Sequence, residues 1–174
     1  AEADDLSQAL EYGEKAYELA NEIEYERGKA YALKNMGIVE YYQGNHVAVL
    51  DYWIQSLEMF ESLKDDDGIA NLSNNLGALY YRQGNNVKAI DYYLRSLSIA
   101  DKIEDPLRIT SALSNIAAVY GQMGQYDLAL DYLNRIEPYL DEVNKPQITS
   151  TFLMNTGEIY SRKGDHKKAS ARLP

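Results

Sequence analysis

Asparagine returns every forty residues along this chain, at Asn35, Asn75, Asn115 and Asn155. Two more, Asn71 and Asn74, lie within one helical turn before Asn75. A carboxamide offers both a hydrogen-bond donor and an acceptor. It can pair with both halves of a peptide group, so a row of amides would read main chain without demanding a side-chain sequence. The same chemistry suits an internal use, in which each amide bonds a neighbouring unit and ties an array together. Asparagine is a poor helix-interior residue, so the cluster of Asn71, Asn74 and Asn75 asks for a reason. Both uses stay open at this point.

Other chemistries are narrowed by composition. The chain has 174 residues, enough for one globular domain or one short repeat array. It has no cysteine, which excludes disulfides, thiolate metal sites and cysteine nucleophiles. A net charge of −10 argues against nucleic acid or an anionic membrane as partner, since both need a basic surface. No apolar run approaches the ~18 residues that suggest a membrane span, so no membrane insertion is expected in this segment. No stretch reads as a signal peptide. The compartment stays open, a soluble cytoplasmic one being favoured. "DDDG" at 65–68 lacks the alternating acids and closing Glu of a calcium loop and reads as a turn with a helix N-cap. His46 and His166 lie three units apart with no third ligand in sight, and are expected to be solvated. There is no G-x-S-x-G and no glycine-rich phosphate loop. With no catalytic constellation, neither enzyme activity nor a metal or other cofactor is expected.

The elements that must position the asparagines follow from the same period. Ala9, Val49, Ala89, Ala129 and Ala169 share one column. Leu10, Leu50, Ile90 and Leu130 share the next, then Glu11, Asp51, Asp91 and Asp131, then Tyr12, Tyr52, Tyr92 and Tyr132. Each unit reads as two helices. The first, as in Ile69 to Gln83, spaces Ile69, Leu72, Leu76, Leu79 and Tyr80 helically and stops at Gly84. The second runs from Val87 to Ile103, with Ala89, Ile90, Tyr93, Leu97, Ala100 and Ile103 on one face. Short connectors carry turn residues: "DDDG", then "EDP" at 104–106 and "NKP" at 144–146. No segment alternates as a strand would. Pro138, inside "RIEPYLDEV", should kink or end the helix that contains it. The tyrosine column has the spacing of interlayer packing, whereas Tyr41, Tyr42 and Tyr81 are better placed for contacts at a rim.

The motif L-G-x2-Y followed by A-x3-F marks the two helices of a tetratricopeptide repeat. This sequence has "LGALY" with "AIDYY", "MGIVE" with "VLDYW", "IAAVY" with "ALDYL", and "TGEIY" followed by Ala169. It therefore resembles the tetratricopeptide-repeat family over almost its whole length. Glu40 and Val49 depart from the pattern. The period is about six residues longer than the standard unit. Longer variants of this kind resemble those in kinesin light chains, peptide-sensing bacterial regulators and sensory regions of bacterial cyclases and histidine kinases. A HEAT-like array of similar period would not need L-G-x2-Y. Gly37, Gly77, Ala117 and Gly157 are small where two helices must cross closely.

The resemblance implies an all-α, right-handed superhelical solenoid of antiparallel helix pairs. As a single array it divides into an orphan second helix at 6–24, repeats at 28–64, 68–104 and 107–143, and a truncated repeat at 147–173. The last helix is expected from His166 to Leu173. Neither end looks like the polar cap a solenoid needs, so the chain is expected to be a piece of a longer protein. Open ends would allow a homodimer, with Leu6, Leu10, Tyr17 and Ile23 unpartnered on the first helix.

In such a solenoid the first helices line the concave face. The displayed stripe beside each apolar one is then Tyr31, Lys34, Asn35, Ile38 and Tyr42 in the first full unit. It is Asn71, Asn74, Asn75, Ala78 and Arg82 in the second, and Ser111, Ser114, Asn115, Ala118 and Gln122 in the third. The last unit supplies Thr151, Met154, Asn155, Glu158 and Arg162. These positions hold three bases (Lys34, Arg82, Arg162) and one acid (Glu158), against a chain total of −10. In several longer-repeat families Asn at this column contacts the main chain of a bound peptide. The resemblance thus implies a peptide groove of Asn35, Asn71, Asn74, Asn75, Asn115, Asn155, Lys34, Arg82 and Tyr42. The function implied is a non-catalytic protein- or peptide-binding module, the sensory or scaffolding region of a larger bacterial-type signalling protein. The alternative is a structural spacer or self-association module with no dedicated peptide.

Overall fold

The computed structural model describes the backbone of residues 2–172 and the side chains of 5–171. Its helices are α1 (Glu2–Glu22), α2 (Glu26–Gln43), α3 (His46–Ser62), α4 (Asp66–Arg82), α5 (Asn86–Lys102), α6 (Pro106–Gln122), α7 (Tyr126–Asn134), α8 (Leu140–Val143), α9 (Pro146–Lys163) and α10 (His166–Arg172). A 3₁₀ turn, Glu137–Tyr139, joins α7 to α8. Among the described residues there is no strand, and no helix is long and apolar enough to cross a membrane. The expected end of the last helix at Leu173 lies outside the described residues.

The chain forms two compact units, Ala1–Leu72 and Ser73–Pro174, with the boundary inside α4. In the first, α2 packs against both α1 and α3. In the second, α5 packs on α6, α6 on α7, α7 on α9, and α9 on α10.

Two turn columns repeat with the period. Gly44, Gly84, Gly124 and Gly164 end the first helices in the left-handed conformation, with φ of 79°, 73°, 73° and 86°. Glycine adopts this conformation without a Cβ penalty. The second helices end on the same conformation at Glu24, Lys64, Glu104 and Asn144, with φ of 55°, 54°, 53° and 44°. N-caps then open the next helices. Asp65 of "DDDG" accepts from the Gly68 amide at 3.0 Å, Asn85 from Lys88 at 3.2 Å, and Asp105 from Arg108 at 3.0 Å. Each such cap satisfies an otherwise orphaned backbone donor. Asp65 also pairs with Arg27 at 2.7 Å, so this acid serves a turn, as its sequence suggested.

The small column is explained by what crosses it. A Cβ on Gly37 would lie 2.3 Å from the Trp53 ring, and one on Gly77 would lie 2.6 Å from Tyr93. In the third repeat the column of Trp53 and Tyr93 holds Leu133 and the small column holds Ala117, both buried. Two members of the tyrosine column pack as expected, Tyr92 stacking on Tyr80 and Tyr132 on Tyr120, each with ring centroids 5.5 Å apart, whereas Tyr12 is exposed. In the first unit Glu40, buried, stands at the column of Tyr80 and Tyr120. There the Tyr52 phenol is held above its ordinary pKa, first by burial and then by the carboxylates of Glu40, Glu14 and Asp51.

α7 stops at Asn134 and Pro138 falls in the first turn of the 3₁₀ segment, where its missing N–H costs nothing. On α1, Leu6, Leu10 and Tyr17 are half-buried. The larger apolar exposure is at Tyr12 and Leu19, with Ile23 just beyond the helix, at 70%, 58% and 63%.

Candidate functional site

α4, α6 and α9 are equivalent helices, and each carries the periodic asparagine at the same place. Asn75, Asn115 and Asn155 are all half-buried. Their environments differ. The Asn115 amide donates from Nδ2 to Oδ1 of Asn74 at 2.8 Å, joining α6 to α4 through side chains. One repeat later the residue at the place of Asn74 is Ser114. A serine side chain is too short to repeat the bond, and among the described residues Asn155 makes no side-chain hydrogen bond.

The seam between α6 and α9 is open in two places. A cavity of about 320 Å³ is lined by Tyr81, Ala117, Ala118, Gly121, Gln122, Leu133, Asn155, Glu158, Ile159 and Arg162. A second, of about 260 Å³, is lined by Leu107, Thr110, Ser111, Ser114, Asn115, Ile148 and Thr151. Early residues of α6 meet early residues of α9, and late meet late. The two helices therefore run side by side in the same sense, and the cavities lie in line along them. Asn115 borders one and Asn155 the other.

The lining of both cavities mixes polar and apolar surface. Ser111, Ser114, Thr151 and the two amides supply donors and acceptors. Leu133 and Ile159, both buried, supply the floor of the larger cavity. At its lip Arg162 bonds Glu158 at 2.7 Å, so two opposite charges cancel. Such an exposed pair contributes little to stability. Among the described residues no cluster of His, Cys, Asp or Glu could hold a metal ion.

The remaining expected residues fall as follows. Arg82 is exposed near the end of α4. In the first unit Asn35, Tyr42 and Asn71 are exposed. The Lys34 ammonium lies 4.9 Å from the Tyr31 ring centre, and its carbonyl accepts from Trp53 Nε1 at 3.0 Å. Tyr41, expected at a rim, instead stacks on Trp53 with centroids 5.9 Å apart. Trp53 offers a broad apolar face that outcompetes solvent for the ring. Tyr81 does border a cavity. Gly121, Leu133 and Ile159 were not singled out for contact. The signal for Gly121 was a column reading Tyr41, Tyr81, Gly121, Ser161, in which the ring disappears at the third unit.

The tetratricopeptide-repeat family model matches residues 29–102, 68–142 and 108–173. No curated protein matches the sequence. Among solved structures, aspartyl phosphate phosphatase F from Bacillus subtilis is similar at a TM-score of 0.85 and 18% identity, over 98% of this chain and 46% of that one. A kinesin light chain from Podosopora anserina with nearly identical repeats reaches a TM-score of 0.78 at 13% identity, over 98% of this chain and 84% of that one. A Rap protein complexed with Competence and Sporulation Factor reaches 0.70 at 20% identity, over 89% of this chain and 44% of that one. The chain thus spans less than half the length of the phosphatase and of the Rap protein. At these identities the likeness is one of fold.

Proposed function

Because the chain belongs to the tetratricopeptide-repeat family, matched from residue 29 to residue 173, we propose that it is a non-catalytic protein-interaction module that holds an extended peptide along α6 and α9. In this reading it serves as the sensory or scaffolding region of a larger bacterial-type signalling protein. One observation carries it. The asparagine column is used internally at Asn115 but left unbonded at Asn155, beside a cavity of about 320 Å³. A half-buried carboxamide that no neighbour satisfies is available to the main chain of a ligand. The Rap conjugation gene regulator of the plasmid pLS20, similar in fold, was solved in complex with the Phr* peptide, which supports peptide capture as a use of such helices. Asn75 and Arg82 of the same unit are proposed as further contacts. So are Lys34, Asn35, Tyr42 and Asn71 of the first unit, taken by itself.

Panning a random dodecapeptide library on the chain, followed by calorimetry with a recovered peptide, tests this. Binding should be one to one, and Asn155→Ala should weaken it by about 1–3 kcal/mol, the cost of leaving a buried peptide group unpaired. Recovery of no peptide, or binding indifferent to Asn155→Ala, would sink the reading. A second reading, self-association, is favoured by the exposed Tyr12, Leu19 and Ile23. Sedimentation of the chain alone separates it from peptide capture.

A further inference from the structure

The larger cavity exists because side chains are missing from one stretch of α6. Ala117 and Ala118 present only methyl groups, and Gly121 presents none. One repeat earlier the place of Gly121 is held by Tyr81, whose ring forms the wall of the same cavity. The glycine also has a packing role, since a Cβ there would lie 2.5 Å from Ile159 Cδ1. The Ile159 side chain therefore stands where a side chain on Gly121 would begin. The space above it is about 320 Å³, and a dry cavity of about 150 Å³ admits benzene. There is room for one aromatic ring with its methylene group. The charge at the mouth argues the same way. Arg162 and Glu158 pair with each other, so the mouth carries no net charge. Gln122 and Asn155 leave amides at the rim for a phenol hydroxyl.

We propose that this cavity is a specificity pocket for a tyrosine or phenylalanine side chain, which supplies at the third repeat the ring that Tyr81 supplies at the second. The assignment rests on the peptide reading above and adds the side-chain class that peptide must carry. Main-chain pairing by the amides is tolerant of sequence. The pocket makes the interaction selective, because an apolar floor and a neutral lip reward a ring and reject a charge.

The probes are N-acetyl-tyrosine amide, N-acetyl-phenylalanine amide and N-acetyl-alanine amide, titrated into the isotopically labelled chain up to roughly 10 mM. The aromatic amides should shift the backbone signals of Ala118, Gly121 and Glu158, and the alanine amide should not. Ala118→Ile fills the mouth with the residue that the first repeat carries as Ile38. It should weaken the aromatic amides at least about tenfold while signals distant from α6 stay in place. Absence of shifts, equal shifts from the alanine amide, or shifts that survive Ala118→Ile would overturn the assignment. If library peptides bind and the aromatic amides do not, the pocket fails and the peptide reading stands. If the amides bind and no peptide does, the peptide reading fails on its own.

Discussion

Between α4 and α6, Asn74 and Asn115 are bonded at 2.8 Å. Between α6 and α9 the corresponding residues are Ser114 and Asn155, and no bond joins them. The same periodic asparagine thus has two environments within one compact unit, and they differ with the residue on the preceding helix, Asn74 or Ser114. The contrast extends to the surroundings. Around α4 the small column is Gly77 beneath the ring of Tyr93, and Tyr81 adds a second ring. Around α6 it is Ala117 with Leu133, and the place of Tyr81 is Gly121. Both repeats keep a tyrosine stack, Tyr80 on Tyr92 and Tyr120 on Tyr132, but at these two columns one is aromatic. At the same columns the next has smaller groups, and two cavities lie along its seam. Stability in a repeat array is close to a sum of repeat and nearest-neighbour terms, so one repeat can pack less fully than the next.

The largest expected effect comes from forcing the second repeat toward the third. Gly77→Ala places a Cβ 2.6 Å from the Tyr93 ring. Overpacking of this kind costs typically about 1–3 kcal/mol, read as a lower urea midpoint. Adding Tyr93→Leu recreates the Ala117 and Leu133 combination and should recover part of the loss. If Gly77→Ala is harmless alone, the crossing is looser than described, and the glycine has another cause.

Closing the open seam is the complementary change. Ser114→Asn puts a carboxamide where Asn74 stands one repeat earlier. It should bond Asn155 and raise stability by about 0.5–1.5 kcal/mol, the net worth of one such bond. It should also reduce peptide affinity, because Asn155 is then engaged. A gain in stability with undiminished peptide binding would separate Asn155 from the ligand.

Much of this was legible in the residues. Helix pairs, connectors and the crossing column are set by apolar period and by small or turn-forming residues, which leave strong local signals. The interruption at Pro138 was legible for the same reason. The left-handed turns at Glu24, Lys64 and Glu104 were not, since neither Glu nor Lys favours that conformation. They adopt it because both flanking helices are fixed by packing and the connector is short. The Asn74–Asn115 bond was hidden by the very regularity that drew attention to Asn115. Its partner lies 41 residues away rather than forty, on the adjacent position of a helix whose side-chain directions the column alone does not reveal. The larger cavity was hidden because absences leave no motif, and Ala117, Ala118 and Gly121 line it by adding little or no side chain.

The most direct test of the account is a urea melt, without ligand, of Asn115→Ala beside Asn155→Ala. Asn115→Ala breaks the bond to Asn74 and should lower stability by about 1 kcal/mol. Asn155→Ala removes an amide with no protein partner and should stay within about 0.5 kcal/mol of the parent. Equal losses in the two variants would make the whole column structural and would contradict the claim that the α6–α9 seam displays its asparagine for a ligand.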